Sequence, residues 1–153
     1  MNYLVVYYSR SGNSKNIATQ ISEKLKADVE QIKDFKNRNG FFGFLFSGFE
    51  AFSQKLTKIE QIKKNPSDYD IVIICSPVWA SSISSPARTY LTNYGKKIKK
   101  IAFVAICGYN EGKSFEQMEY LSTRPLATLV INEKEIKTDK FQDKIDNFIK
   151  TLN

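Results

Sequence analysis

The sequence predicts an α/β fold in which a parallel sheet lies between layers of helices. Short apolar runs rich in β-branched and aromatic residues alternate along the chain with segments of helical periodicity, which is the pattern of a parallel sheet with crossover helices. The 153 residues, 42% of them hydrophobic and 25% charged, are enough to bury one sizeable core. We therefore expect a single domain over residues 1–153.

Five strands are predicted from the apolar runs. Residues 3–8 (YLVVYY), 71–75 (IVIIC) and 101–107 (IAFVAIC) are almost continuously apolar, as strands buried on both faces require. Residues 28–32 and 126–131 are weaker candidates for the second and fifth strands. Each run is separated from the next by a segment with helix signals, so the five strands are expected to be parallel.

Helices are predicted between the strands from periodicity and from start signals. The first begins near Asn13, Pro86 is well placed as the first helical residue of another, and Ser114 with Gln117 has capping-box spacing. The last helix is expected to begin near residue 138 or 139. The residues predicted to face inward are Ile17, Ala18, Ile21 and Leu25 in the first helix and Phe141, Ile145, Phe148, Ile149 and Leu152 in the last.

The segment over residues 40–52 (GFFGFLFSGFEAF) is unusual, with six phenylalanines and three glycines in thirteen residues. It predicts a helix, beginning near Phe44, that covers the sheet with aromatic side chains. An exposed aromatic lip, a dimer contact or a wall for a flat substrate are the alternatives that the composition leaves open.

A loop of small hydroxyl residues, Ser9-Arg10-Ser11-Gly12-Asn13-Ser14, joins the first strand to the first helix. Backbone N–H groups and the positive end of the helix dipole converge at such a junction, and serine hydroxyls add further donors. Gly12 allows the backbone to approach a ligand closely. This loop therefore predicts a phosphate site.

Composition excludes several classes of function. The chain has no histidine, which removes His-based acid–base catalysis, Ser-His-Asp hydrolysis and most His-ligated metal sites. The net charge of +7 comes from scattered lysines, so no nucleic-acid role is expected. Cys75 and Cys107 lack metal or redox spacing and are predicted to be buried thiols. No run is long enough to span a membrane, and a cytoplasmic location is expected.

Two more loops follow strand ends, where ligands bind in open α/β sheets. Residues 76–85 contain the only tryptophan, Trp79, and residues 108–113 contain Tyr109. A phosphate site flanked by two aromatic residues suits a flat, phosphorylated ligand. The P-loop and dinucleotide-binding glycine motifs are missing from the sequence, and so are the acidic residues of a response-regulator receiver.

The chain resembles the flavodoxin family, whose first loop follows Ser/Thr-x-Ser/Thr-Gly-x-Ser/Thr. Ser9, Ser11, Gly12 and Ser14 match that pattern. The resemblance implies a three-layer α-β-α sandwich around a five-stranded parallel sheet of order 2-1-3-4-5. It also implies noncovalently bound FMN, with the phosphate on the first loop and the ring between the loops of Trp79 and Tyr109. The implied FMN-binding residues are Ser9, Arg10, Ser11, Gly12, Asn13, Ser14, Pro77, Val78, Trp79, Ala80, Gly108 and Tyr109.

The resemblance leaves two functions open. A redox carrier of the flavodoxin type would pass electrons to or from a partner protein, and the basic charge of this chain favours a partner with an acidic surface. The alternative is a small NAD(P)H-dependent FMN or quinone reductase, in which the phenylalanine-rich segment would wall the site of a quinone-like acceptor. Arg10, Lys15, Lys33, Lys36 and Arg38 follow the first two strands, so several of them are expected on the flavin side.

Overall fold

Both faces of the first strand are buried, so the sheet must be covered by helices on each side. The computed structural model describes residues 1–152. The strands are β1 (Tyr3–Tyr7), β2 (Asp28–Gln31), β3 (Ile71–Trp79), β4 (Ser82–Ile83), β5 (Ile101–Cys107) and β6 (Thr128–Asn132). The helices are α1 (Asn13–Leu25), α2 (Gly40–Phe52), α3 (Ser85–Tyr94), α4 (Ser114–Leu121), α5 (Glu133–Lys137) and α6 (Gln142–Leu152).

The sheet has the order β2-β1-β3-β5-β6, and these five strands are parallel. Their spatial order is the predicted one, but the sheet has six strands rather than five. The additional strand, β4, is two residues long and pairs antiparallel with the end of β3. It was not predicted because a two-residue strand leaves no periodic signal in the sequence.

Alternate residues of β1 contribute to two separate hydrophobic clusters. Tyr3, Val5 and Tyr7 pack in one cluster with α1 and α6, whereas Leu4 and Val6 pack on the opposite face with α3 and α4. This division confirms the three-layer arrangement. The predicted inward residues of α1 and α6 lie in the first cluster, with Leu25 and Ile149 only partly buried.

Some predicted boundaries are shifted, and each shift has a local cause. β3 continues through Trp79 because Ser76 and Pro77 still pair with β5, and Val78 and Trp79 pair with β4. The prediction of a capping box at α4 is wrong, because no side chain caps this helix. The Gln117 side chain instead accepts a hydrogen bond from the amide of Ile83 in β4 (3.1 Å). A capping box does occur at Asn132, whose side chain caps α5. α6 begins at residue 142, after the left-handed Asp139.

The prediction that α2 covers the sheet with aromatic side chains is wrong. The helix forms, and it begins at Gly40, but all six of its phenylalanines are at least half exposed. Its buried residues are Ser47, Glu50 and Ala51. The helix approaches the chain closely through Gly43, where a Cβ would lie 2.4 Å from the carbonyl oxygen of Arg38. The polar inner face and this close contact leave the rings no place in the core.

Both cysteines are buried, as predicted. Burial raises the pKa of the Cys75 thiol, and it also raises the pKa of Cys107. Among residues 1–152, we find no helix that combines the length and the apolar character needed to cross a bilayer.

Candidate functional site

Three loops meet at the carboxyl edge of the sheet and enclose a cavity of about 470 Å³, here called the loop cleft. Its polar lining comes mainly from the loop after β1, and its apolar lining from α2 and the end of β3. The residues that line the loop cleft are Ser9, Arg10, Ser11, Asn13, Ser14, Phe44, Leu45, Gly48, Phe49, Pro77, Val78, Trp79, Ala80, Ile106, Gly108 and Glu133. Ten of the twelve predicted site residues are in this set, and Gly12 and Tyr109 are not.

The first loop is stabilised by an internal hydrogen bond, and the N-terminus of α1 lies at its end. The Gly12 amide donates to Ser9 Oγ (3.0 Å), and Gly12 has a φ of 98°, a left-handed conformation that favours glycine. The Asn16 amide donates to the Gly12 carbonyl (2.9 Å), which begins the helical ladder. The amides of the preceding turn have no intrahelical acceptor, and Gly12 has no side chain with which to cap them. These amides are available to an anion, together with the hydroxyl of Ser11.

The second loop is a tight hairpin turn between β3 and β4. Trp79 pairs with Ser82, and the two residues between them, Ala80 and Ser81, have φ values of 47° and 61°. This is the type I′ pattern, which normally contains Asn or Gly, and left-handed backbone costs other residues about 1–2 kcal/mol each. The surrounding structure must therefore hold the turn in place.

Contacts from the third loop supply that support. The Lys113 amide donates to the Ser81 carbonyl (2.8 Å). Gly112, with a φ of 54°, packs so closely that a Cβ there would lie 2.5 Å from the Ser81 carbonyl oxygen. Strained turns held by such contacts concentrate at functional sites.

The third loop is hydrogen-bonded to Asn132, the residue that caps the start of α5. The Asn132 side chain donates to the carbonyls of Gly108 (3.0 Å) and Tyr109 (3.3 Å), and its oxygen accepts from the Lys134 amide. Gly108 lines the loop cleft, but the Tyr109 side chain is 90% exposed and lies outside the lining. Trp79 lines the loop cleft, whereas the side chain of Tyr109 does not. A ring-stacking role for Tyr109 therefore stays a prediction.

Trp79 lies between the cleft and a buried ionic network. Its side chain is 9% exposed, and its ring meets Tyr8 edge-on with centroids 5.5 Å apart. The Arg38 guanidinium carbon lies 5.3 Å from the centroid of the Trp79 ring. These contacts fix the orientation of the indole before any ligand binds.

Arg38 is held by two buried carboxylates. Its Nε donates to Asp34, and its Nη1 lies 2.7 Å from Glu50 Oε2 on the inner face of α2. Burial alone would lower the pKa of Arg38, but hydrogen bonds to Asp34 and Glu50 outweigh it and raise the pKa. The charge of Arg38 is therefore permanent, and it connects α2 to the Trp79 side of the cleft.

A second, polar cleft of about 340 Å³ lies beside the first and shares Ser9 and Arg10 with it. Its lining includes the predicted basic residues Lys33, Lys36 and Arg38, together with the acidic Asp34 and Glu60 that pair with Arg38 and Lys33. Arg10 joins the two clefts, because its Nη1 donates to the Arg38 carbonyl (3.2 Å) and its guanidinium lies against the ring of Phe44. We call this cavity the basic cleft.

The cleft lining includes six residues outside the predicted site. Phe44, Leu45, Gly48 and Phe49 come from α2, where the sequence predicts a core role, and Ile106 is a buried strand residue. Glu133 reaches the cleft because the Asn132 capping box starts α5 there, and Asn-x-x-Glu spacing could have signalled that start. For the α2 residues, the missed signal is that Ser47 and Glu50 are the two polar residues in a helix otherwise made of Phe, Leu, Gly and Ala. Their burial turns the apolar residues outward.

Comparisons with known proteins show the fold. No family model matches the sequence, and neither does the sequence of any curated protein. Among solved structures, the flavoprotein of Lactobacillus acidophilus NCFM in complex with FMN superposes with a TM-score of 0.72 at 18% identity, covering 90% of this chain and 97% of that one. The two-electron reduced flavodoxin of Megasphaera elsdenii gives a TM-score of 0.56 at 19% identity, covering 86% of each chain. This chain has the flavodoxin-like fold.

Proposed function

We propose that this flavodoxin-like protein binds FMN noncovalently in the loop cleft and acts in electron transfer. The observation that carries the proposal is that one cleft combines a helix N-terminus bearing hydroxyl and amide donors with an apolar wall containing Trp79. A phosphate and a flat aromatic ring need these two surroundings side by side. The structural neighbours support this ligand, since one of them is a flavoprotein in complex with FMN and another is a flavodoxin.

The cleft fits FMN in size and in chemistry. A volume of about 470 Å³ falls within the range of small-molecule sites. Ser9, Ser11 and Ser14 and the amides of the first turn of α1 would hold the phosphate, because pre-arranged neutral donors satisfy a dianion at a helix N-terminus. Trp79 would contact the ring, which by analogy with base stacking contributes about 1–3 kcal/mol. Bound there, FMN supplies one-electron and two-electron transfer.

The protein's own residues orient the ligand and control access to it. The Ala80–Ser81 turn is held by Gly112 and Lys113, so backbone groups beside the ring position are fixed before binding. Phe44 and Phe49 form an apolar wall along one side of the cleft. Positive charge from Arg10 and from the buried Arg38 favours reduced, negatively charged flavin over the oxidised form, although the ion pairs of Arg38 moderate its effect.

As an electron carrier, the protein would exchange electrons with a redox partner whose surface is acidic, since the chain carries a net charge of +7. The basic cleft favours a second candidate, an NAD(P)H-dependent FMN or quinone reductase. It adjoins the loop cleft through Ser9 and Arg10, and its lysines could attract the phosphates of a pyridine nucleotide. Direct reduction by NADH or NADPH distinguishes the two candidates.

Visible absorption of the purified protein tests the proposal. The protein is incubated with FMN, separated from free flavin by gel filtration, and its spectrum is recorded before and after anaerobic addition of NADH or NADPH. Retained flavin that bleaches with a pyridine nucleotide indicates the reductase. Retained flavin that stays oxidised until dithionite or a reductase protein is added indicates the carrier, and failure to retain FMN contradicts the proposal.

The substitution Ser11→Asp tests the phosphate site. The exposed Ser11 lies on the first loop, and a carboxylate there would repel a phosphate, so we expect FMN retention to be lost. Thr123→Asp is the matched control, because it adds the same charge at an exposed position after α4 and should retain FMN. If Ser11→Asp is purified with a full complement of FMN, the assignment of this loop is wrong.

A further inference from the structure

Helix α2 exposes a continuous apolar face, here called the aromatic face, made of its six phenylalanines and Leu45. Phe42 is 82% exposed and Phe52 is 72% exposed, and the least exposed members still show half of their surface. Soluble domains rarely leave so many large apolar side chains together in contact with water, and such patches mark interaction surfaces. Phe35 and Leu56, which precede and follow α2 in the sequence, are also more than half exposed.

Lysine side chains lie against two rings of the aromatic face and against the ring of Phe35. The Lys55 ammonium lies 5.0 Å from the ring centroid of Phe49, and the Lys58 ammonium lies 5.3 Å from that of Phe35. Lys36 contacts Phe46 at 5.0 Å while pairing with Glu50. The apolar surface and the positive charge therefore occupy the same side of the molecule.

Acidic groups balance only part of this charge. The buried Arg38 is paired with Asp34 and Glu50, and Lys36 is also paired with Glu50. Lys55 and Lys58 form no ion pair with any residue in the described range 1–152. The surface that a partner would meet is thus apolar at its centre and cationic at its rim. Its complement is an apolar surface carrying negative charge.

We propose that the aromatic face docks this protein on an anionic lipid bilayer. Phenylalanine and leucine side chains on an interfacial helix enter the boundary between headgroups and acyl chains, while flanking lysines pair with lipid phosphates. A protein partner would need an apolar groove with an acidic rim that matches this helix in shape. The face is also the convex side of a helix, which a fluid lipid surface accommodates without a matching groove.

Docking has a consequence for the loop cleft. Phe44, Leu45 and Phe49 belong both to the aromatic face and to the cleft lining, so the cleft would open beside the bilayer. If the proposed flavin function holds, an acceptor dissolved in the membrane could reach the site from that side. The docking itself does not depend on flavin binding.

Co-sedimentation with lipid vesicles tests the proposal on the purified protein, with FMN bound if it is retained. Vesicles of an equimolar mixture of phosphatidylglycerol and phosphatidylcholine are compared with vesicles of phosphatidylcholine alone. We expect the partition coefficient to be roughly tenfold or more higher on the anionic vesicles and to fall with added salt. Equal partition on the two vesicle types, or no binding to either, would overturn the proposal.

Two variants separate the apolar and the ionic contributions. Phe42→Ser with Phe52→Ser removes two rings outside the cleft lining and should lower partition by roughly tenfold or more. Its matched control, Tyr120→Ser with Leu126→Ser, removes two exposed apolar side chains elsewhere and should bind like the parent.

The ionic contribution is tested by charge reversal. Lys55→Glu with Lys58→Glu should lower the partition coefficient by about tenfold or more. The matched control is Lys99→Glu with Lys100→Glu, at two exposed positions before β5, and it should leave the partition coefficient unchanged.

A second copy of this chain is the competing occupant of the aromatic face. Sedimentation velocity without lipid measures the oligomeric state of the parent and of the Phe42→Ser, Phe52→Ser variant. A parent that is monomeric and binds anionic vesicles supports lipid docking. A dimer that dissociates in the variant and stays in the supernatant with vesicles overturns it. The spectrum of bound FMN is recorded separately, so a failure of flavin binding is not confused with a failure of docking.

Discussion

Helices α1 and α2 are each thirteen residues long and lie on opposite sides of the sheet, but they face it in opposite ways. α1 buries Ile17, Ala18 and Ile21 completely, together with two serines, and exposes its charged residues. α2 buries Ser47 and Glu50 and exposes its phenylalanines. α1 follows the ordinary rule that an amphipathic helix is stabilised by its apolar face, and α2 inverts that rule.

The inner face of α2 carries a buried charge, Glu50, which pairs with Arg38. A buried ion pair contributes little to stability compared with a well-packed apolar contact, so the Arg38–Glu50 pair is a poor substitute for buried rings. What the pair does provide is position, since Arg38 also contacts the Trp79 ring and anchors Arg10 through its carbonyl. α1 therefore supplies stability, whereas α2 supplies the wall of a site and an outer surface for a partner.

Shortening a core residue of α1 should have the largest effect on stability. Ile21 is fully buried against β1 and α6, so Ile21→Ala should lower the free energy of unfolding by about 2–5 kcal/mol. Urea denaturation followed by circular dichroism measures the change. Thr19→Ala, at an exposed position of the same helix, is the control and should change it by no more than about 0.5 kcal/mol. Equal effects of the two substitutions would mean that α1 does not anchor the core.

Removing the charge from the inner face of α2 should have an intermediate effect. Glu50→Gln keeps the shape of the side chain but weakens its bonds to Arg38 and Lys36, and we expect a loss of about 1–3 kcal/mol. Trp79, the only tryptophan, should report the same change through its fluorescence because Arg38 lies over its ring.

The control for Glu50→Gln is Glu60→Gln. Glu60 pairs with Lys33 at 3.9 Å, and both side chains are about half exposed, so its loss should cost no more than about 1 kcal/mol. It should also leave the fluorescence of Trp79 unchanged. If both substitutions are equally mild and neither alters the fluorescence, the buried network does not hold α2 against the cleft.

The contrast between the two helices also explains how far the sequence predicts this molecule. The apolar strand runs, the buried face of α1 and the first loop are local signals, and the five parallel strands are confirmed. Their order, which the resemblance to the flavodoxin family implies, is confirmed as well. The phosphate role of the loop stays a prediction, although Ser9, Ser11 and Ser14 line the cleft as expected. These signals succeed because each depends on neighbours within a few residues.

The orientation of α2 could not be predicted because it depends on residues distant in the sequence. Glu50 faces inward only because Arg38 and Lys36 are there to pair with it. The same holds for Gln117, which does not cap α4 as predicted. Its side-chain oxygen instead accepts hydrogen bonds from the Ile83 amide and from the Arg88 side chain, which lie on β4 and α3. Apolar content predicts burial only where no such polar network competes for the inner face.

Changing the outer face of α2 should have the smallest effect on stability, and this result sharpens the comparison most. Phe42 is 82% exposed, and Phe and Ser have similar helix propensities, so Phe42→Ser should change the free energy of unfolding by no more than about 0.5 kcal/mol. Urea denaturation at two protein concentrations measures it. A loss above about 1 kcal/mol that grows with protein concentration would show that the ring is buried between copies of the chain. Unchanged stability at both concentrations would leave the aromatic face without a structural role in the free protein, as a surface reserved for a partner must be.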